Sequence, residues 1–250
     1  MSRPLEWRTL LGMSDPEPVD HRRVYAKGAD DYDRLVSAED ADRRLLPAIS
    51  ALVQLDGARV LEVGVGTGRV TELLVGAGAR VVGYEPATAM LEVARRKLER
   101  FGDHGCELHA LPVQEMDVPD GAFDLAIAGW VLGHFVEWFA PRWREEIGAA
   151  LDRMDAALVP GGVLVIIETL GTGQTEPAPP TPGLADYYEW LERERGFRRS
   201  AIRTDYVFPD ADTAASVTGA FFGAEFADRV RAQGWARVPE CTGVWSRTRE

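Results

Sequence analysis

Residues 60–69 read VLEVGVGTGR, a short apolar run that passes into three glycines at alternate positions and then into a helical pattern. Val60, Leu61 and Val63 have the character of a strand buried on both faces. Glu62 interrupts that run, and a carboxylate so placed needs a partner. Gly64, Gly66 and Gly68 let the backbone turn sharply and let a ligand approach it without Cβ atoms in the way. The helix beginning near Thr67 aims its free amides and the positive end of its dipole into the same space. Strand, glycine turn and helix in this order make a ligand cradle and predict an α/β fold.

The glycine spacing narrows the ligand. A dinucleotide fingerprint, G-x-G-x-x-G counted from Gly64, needs its third glycine where Arg69 stands, and no Gly-Lys-Ser/Thr follows to make a phosphate-binding loop. The pattern E-x-G-x-G-x-G instead resembles motif I of the class I S-adenosylmethionine-dependent methyltransferases. The resemblance covers residues 58–170 and implies S-adenosylmethionine as cofactor, with Glu62, Gly64, Gly66 and Gly68 in its cradle. It also implies a Rossmann-like, seven-stranded, mostly parallel sheet in the order 3-2-1-4-5-7-6, with helices on both faces.

Outward from the cradle, Leu73, Leu74 and Val75 continue a helix to residues 76–78, and residues 80–84 read as the second strand. Glu85 closes that strand about 20 residues after the glycines, where an acidic residue in a Rossmann-like unit accepts hydrogen bonds from ribose hydroxyls. Pro86 follows it in the expected cofactor set. Met90, Leu91, Ala94 and Leu98 share a helical face and belong to the core, Met90 being also placed to touch the adenosine. After the third strand, 107–111, many relatives carry an aspartate for the adenine amino group. Here that position is Pro112, so Gln114 is the expected substitute, with the Val113 amide facing the ring.

Residues 123–128, FDLAIA, read as the fourth strand, ending at Gly129, Trp130 and His134. In an open α/β sheet the carboxyl edge of the strands holds the ligand, so the methyl acceptor is expected there. Enzymes that methylate base or glutamine amino groups commonly show N-P-P-Y at this point; the sequence here is GWVL. WVLGH is similar to the corresponding stretch of the protein α-N-terminal methyltransferases. His134, with an ordinary pKa near ~6.5, is the candidate catalytic base, the alternative being a residue that starts the next helix and bonds locally. Methyl transfer needs little acid–base help where positioning in a dry pocket supplies most of the acceleration. Trp130 is then an apolar wall. Tyr25 and Tyr32 match tyrosines that precede the core in many small-molecule members of the family, which implies a substrate-binding role.

Two regions follow: a leader and helical cap over residues 1–55, and a catalytic domain over 56–250. Pro4, Pro16 and Pro18 mark an irregular start. Leu45, Leu46, Ile49, Leu52 and Val53 give the cap an apolar face, with a kink or restart at Pro47, and such a segment can pack as a lid. Residues 138–158 read as one long helix, followed by a turn at Pro160, Gly161 and Gly162 and a strand at 163–167. Glu168 and Thr169 stand at that strand's carboxyl edge, as rim or substrate contacts. The Pro/Gly-rich stretch 171–183 reads as a gating loop. A helix (184–196), a strand (201–208), a helix (212–233) and a last strand (238–247) complete the pattern. Arginines 193, 195, 198, 199 and 203 read as a solvated face or an anion site.

With 250 residues, 46% hydrophobic, the chain can bury one large core. Its net charge of −12 opposes a nucleic-acid partner. Cys106 and Cys241 show no metal spacing and suit a reducing compartment. No signal-peptide core and no run near ~20 apolar residues occurs, so the expectation is a cytoplasmic protein with no membrane or metal partner; oligomeric state stays open. The function expected is methyl transfer from S-adenosylmethionine to O, N or C of a small molecule. The alternatives are a protein or peptide N-methyltransferase and a cofactor-binding protein that transfers no methyl.

Overall fold

The computed structural model describes residues 28–102 and 105–250; the leader, His21, Tyr25 and His104 lie outside the described residues. The glycine turn joins β1 (Arg59–Val63) to α3 (Arg69–Gly76), after two cap helices, α1 (Ala29–Ser37) and α2 (Leu45–Ser50). β2 (Arg80–Tyr84), α4 (Thr88–Leu98), β3 (Cys106–His109) and β4 (Phe123–Gly129) follow. Next come α5 (Leu132–Trp138), α6 (Trp143–Ala157), β5 (Leu158–Thr172), α7 (Pro182–Arg193) and β6 (Arg198–Arg203). The chain ends with β7 (Tyr206–Val207), α8 (Ala211–Phe222), α9 (Ala224–Gln233), β8 (Arg237–Val238) and β9 (Glu240–Thr248).

Seven strands form one sheet in the order β3-β2-β1-β4-β5-β9-β6, which is the predicted order with β9 as the seventh strand. The first five pair in parallel, and β9 runs antiparallel to both β5 and β6. β7 and β8 pair separately as a two-stranded ribbon.

The period-two alternation of the strands sorts the core into two layers. Leu61, Val63, Ala126, Ala128, Leu164 and Ile166 face Ile147, Leu151 and Met154 of α6 and Tyr187 and Leu191 of α7. Val60, Leu125, Ile127, Val163, Val165 and Ile167 face Leu45 and Ile49 of α2 and Val70 and Leu74 of α3. Both faces of the central strands are therefore covered, and the edge left for a ligand is the carboxyl end.

Local chemistry explains where elements depart from expectation. The helix expected over 138–158 begins only at Trp143, and Trp138 instead closes the separate helix α5, because Pro141 supplies no amide and disfavours a helical residue before it. The Pro160-Gly161-Gly162 turn sits inside β5 as a register shift, with Phe123 opposite Leu158 but Leu125 opposite Val163. The strand expected at 201–208 breaks after Arg203, where Thr204 and Asp205 turn inward to polar partners. Pro239 separates β8 from β9. The 171–183 stretch is tied down by Gly173 N–H to Pro239 O (2.7 Å) and Ala178 N–H to Leu170 O (2.7 Å), and none of its residues lines the cavity described next.

Candidate active site

A cavity of about 550 Å³ opens at the carboxyl ends of β1, β2 and β4, within the size range of small-molecule sites. Of the residues singled out from sequence, Tyr32, Gly64, Gly66, Glu85, Pro86, Met90, Val113, Gln114, Gly129, Trp130 and His134 line it together. Glu62 and Gly68 do not.

The glycine turn shows why. Gly66 has φ +55° and a Cβ built on it would meet no atom within 4 Å, so its bare Cα edge faces open space. Gly64 has φ +76°, and its Cβ would run into Val131 Cγ2, so the residue there must be small for the β4–α5 connection to close over it. Gly68 lets α3 pack on α4, its Cβ position lying 3.1 Å from Ala94 Cβ. Glu62 is 2% exposed and accepts a hydrogen bond from Thr71 Oγ1 at 2.7 Å. It points between β1 and α3 and braces the turn from behind, and burial pushes its carboxyl up to about 8.

Glu85 stands at the end of β2 on the opposite lip. Its Oε2 accepts from Gly66 N–H (3.1 Å) and its Oε1 from Ala87 N–H (2.9 Å). Burial raises its pKa against these two amides, which favour the charged form. Each carboxylate oxygen keeps a further lone pair for a hydroxyl. Pro86, Met90 and Val113 supply apolar walls beside it, and Gln114 brings the amide of a single 3-10 turn. Residues not anticipated also line this end: Tyr84, whose hydroxyl donates to Asp117 O (3.1 Å), and Ala87, Thr88 and Ala89 at the start of α4.

The other end is aromatic. Trp130 has a left-handed backbone, φ +55°, and its N–H donates to Ile167 O at 2.7 Å. Val131, His134, Phe135 and Trp138 then share one face of α5, the i, i+3, i+4, i+7 spacing of a helical stripe. Phe135 and Trp138 were not anticipated, although this spacing was the signal for them; assigning Trp138 to the next helix hid it. The His134 and Trp138 rings stack at 5.0 Å, 13° apart. Tyr32 closes over the cavity from α1, and burial pushes its phenol up.

Glu168 lies under the cavity wall, 4% exposed, with Oε1 accepting from Gly133 N–H at 2.8 Å. It caps α5, and burial pushes its carboxyl up to about 8. Thr169 donates to Glu240 Oε1 (2.7 Å) beneath the same wall. Among the arginines, Arg193, Arg195, Arg199 and Arg203 pair with Glu189, Asp152, Glu192 and Asp205, and none of the five lines the cavity. Among the described residues no cluster of His, Cys, Asp or Glu is built for a metal ion, and no helix is long and apolar enough to cross a membrane.

The donor set fits S-adenosylmethionine. A carboxylate with lone pairs to spare suits a ribose diol, a slot of Pro86, Met90 and Val113 suits a purine, and an uncrowded Gly66 suits close passage of a ligand over the backbone.

Comparison with known proteins agrees. Residues 61–166 match the family described as methyltransferase domain. The chain is 31% identical over 139 residues to a ubiquinone biosynthesis O-methyltransferase of Bradyrhizobium sp. (strain ORS 278), covering 56% of this chain and 50% of that protein. It is 35% identical over 130 residues to a trans-aconitate 2-methyltransferase of Paracidovorax citrulli, covering 50% and 45%. The chain thus spans about half the length of these relatives. The fold is similar to phosphoethanolamine N-methyltransferase 2 of Haemonchus contortus solved with S-adenosyl-L-methionine, with a TM-score of 0.59, 16% identity, and coverage of 93% of this chain and 60% of that one. Residues 61–166 thus match a methyltransferase domain, and the strand order and the cradle at the carboxyl edge support a class I S-adenosylmethionine-dependent methyltransferase fold with S-adenosylmethionine as the cofactor.

Proposed function

We propose that this chain transfers the methyl group of S-adenosylmethionine to an oxygen, nitrogen or carbon atom of a small, largely apolar and planar molecule. The observation that carries this reading is one continuous cavity with the Gly66–Glu85 lip at one end and Trp130, Phe135 and Trp138 at the other. Bound S-adenosylmethionine supplies a methyl group on positively charged sulfur, already activated for displacement. Glu85, Gly66, Val113 and Gln114 bind and orient the nucleoside. Trp130, Val131, Phe135 and Tyr32 exclude water and offer flat faces to the acceptor. His134 takes a proton from an oxygen or nitrogen acceptor at its imidazole nitrogen. The names of the two sequence relatives, a ubiquinone O-methyltransferase and a trans-aconitate methyltransferase, point to small-molecule acceptors and support that class here.

The test is a panel of phenols, carboxylic acids, amines and short peptides incubated with the protein and S-adenosylmethionine, with S-adenosylhomocysteine as the product read. Turnover with a planar phenol or acid supports the proposal. Turnover confined to peptides supports a protein acceptor, and cofactor binding with no turnover on any arm supports a binding protein; either result refutes it.

A further inference from the structure

Behind the aromatic end of the cavity runs a buried chain of polar contacts that the cofactor site does not use. Arg69, first residue of α3, sends its guanidinium away from the glycine turn toward the cap. Its Nη1 donates to Glu39 Oε2 at 2.6 Å, and Glu39 is only 8% exposed. The other Glu39 oxygen accepts from Thr204 Oγ1 at 2.9 Å, and Thr204 shares a 2.6 Å hydrogen bond with Thr242 of β9. The Arg69 guanidinium carbon lies 4.0 Å from the centroid of the Trp130 ring, within range for a cation–π contact. Trp130 itself holds φ +55°, a conformation that a bulky residue keeps only when its surroundings impose it. Trp130 also lines the cavity, and Arg69 does not.

We propose that Arg69 is a positioning residue that seats the Trp130 indole as a wall of the cavity and, through Glu39, ties that wall to the turn between α1 and α2 of the N-terminal cap. The physical reason is the burial of the charge. A guanidinium with little water around it must keep its carboxylate partner, so the place of Glu39 dictates the place of Arg69, and the stacked indole follows. The inference rests on the reading above only in taking the Trp130 end as the acceptor end; the contact chain stands without it.

The test uses the full chain labelled with 5-fluorotryptophan, in which each of the seven tryptophans gives a fluorine resonance and Trp130→Phe assigns the one of interest. Glu39→Gln keeps the side-chain shape but removes the charge that holds Arg69. The expected result is a shifted or broadened Trp130 resonance, with those of the buried Trp143, Trp190 and Trp245 unmoved. S-adenosylhomocysteine affinity, measured by calorimetry, is expected to stay within twofold. Arg69→Met is expected to move the Trp130 resonance further; should that variant fail to fold, Glu39→Gln decides alone. An unmoved Trp130 resonance in folded Glu39→Gln overturns the proposal. So does a tenfold or larger loss of S-adenosylhomocysteine affinity in that variant, since the glycine turn would then have loosened as a whole. If the wild-type chain binds no S-adenosylhomocysteine, the cofactor assignment fails instead, and the fluorine spectrum alone judges the positioning role.

Discussion

Replacing Glu85 with alanine separates two jobs that the structure gives to one carboxylate. Its oxygens already accept from Gly66 N–H at 3.1 Å and Ala87 N–H at 2.9 Å, and the residue also lines the cavity. Hydrogen bonds to a charged group contribute about 1.5–3 kcal/mol each. Loss of two contacts to a ribose diol should therefore cost roughly 3 kcal/mol or more, beyond a hundredfold in affinity at about 1.4 kcal/mol per tenfold. Some of that is offset by water entering the space left, so a fall of more than about tenfold is the firm expectation. Glu85→Gln keeps one acceptor and should lie between. Calorimetric titration with S-adenosylhomocysteine reads the affinity, and a thermal melt reads the loss of the two internal amide bonds separately. A melting temperature that falls while the dissociation constant stays within twofold of wild type would show that Glu85 only braces the turn, and would refute its assignment to the cofactor.

The glycines should divide in the same assays. Gly66→Ala, at φ +55° and facing the cavity, should lose cofactor affinity, whereas Gly64→Ala, whose Cβ meets Val131, should mainly lose stability. Overpacking of that kind costs about 1–3 kcal/mol, or roughly 2–4 °C per kcal/mol in a chain of this size; equal effects of the two variants on affinity would count against the difference. Glu168, pushed from 4.5 to about 8 in the folded state, holds a proton there that the unfolded chain releases above pH 4.5. Its contribution to stability is thus fully present below pH 4.5 and is lost as pH rises through about 8. Glu168→Gln should flatten the denaturation free energy against pH by at least ~1 kcal/mol over that window; a slope identical to wild type would show the residue ionised throughout. Tyr187 is fully buried, and its hydroxyl has no hydrogen-bond partner among the described residues. Tyr187→Phe should be neutral or stabilising by up to about 1 kcal/mol, and a clear drop in melting temperature would reveal a partner for that oxygen.

Much of the architecture was legible because it is written in short-range signals. The apolar run at Val60, Leu61 and Val63, the alternating glycines and Glu85 at the end of the next strand predicted β1, the turn and β2, and the cavity forms between them. Partners within the site were less legible. Glu62 belongs by pattern to the cradle, yet it bonds to Thr71 on the far side of β1. Strand periodicity decides which face a side chain takes, but the pattern of glycines says nothing about what waits on that face. The face of α5 carrying His134, Phe135 and Trp138 was obscured because Trp138, which closes α5, reads equally as the start of the helix beyond Pro141.

By itself the sequence determined the succession of the parallel strands and the glycine turn, since backbone torsion preferences and hydrophobic periods act over a few residues at a time, and the resemblance carried by those motifs supplied the ligand class. Tertiary structure alone decided which buried charges meet. Arg69 finds Glu39 30 positions away, and Glu39 finds Thr204 across 165. Such pairs exist because burial makes an unpartnered charge too costly to keep. Which partner answers that demand depends on how the cap, the glycine turn and the last strands come together over Trp130.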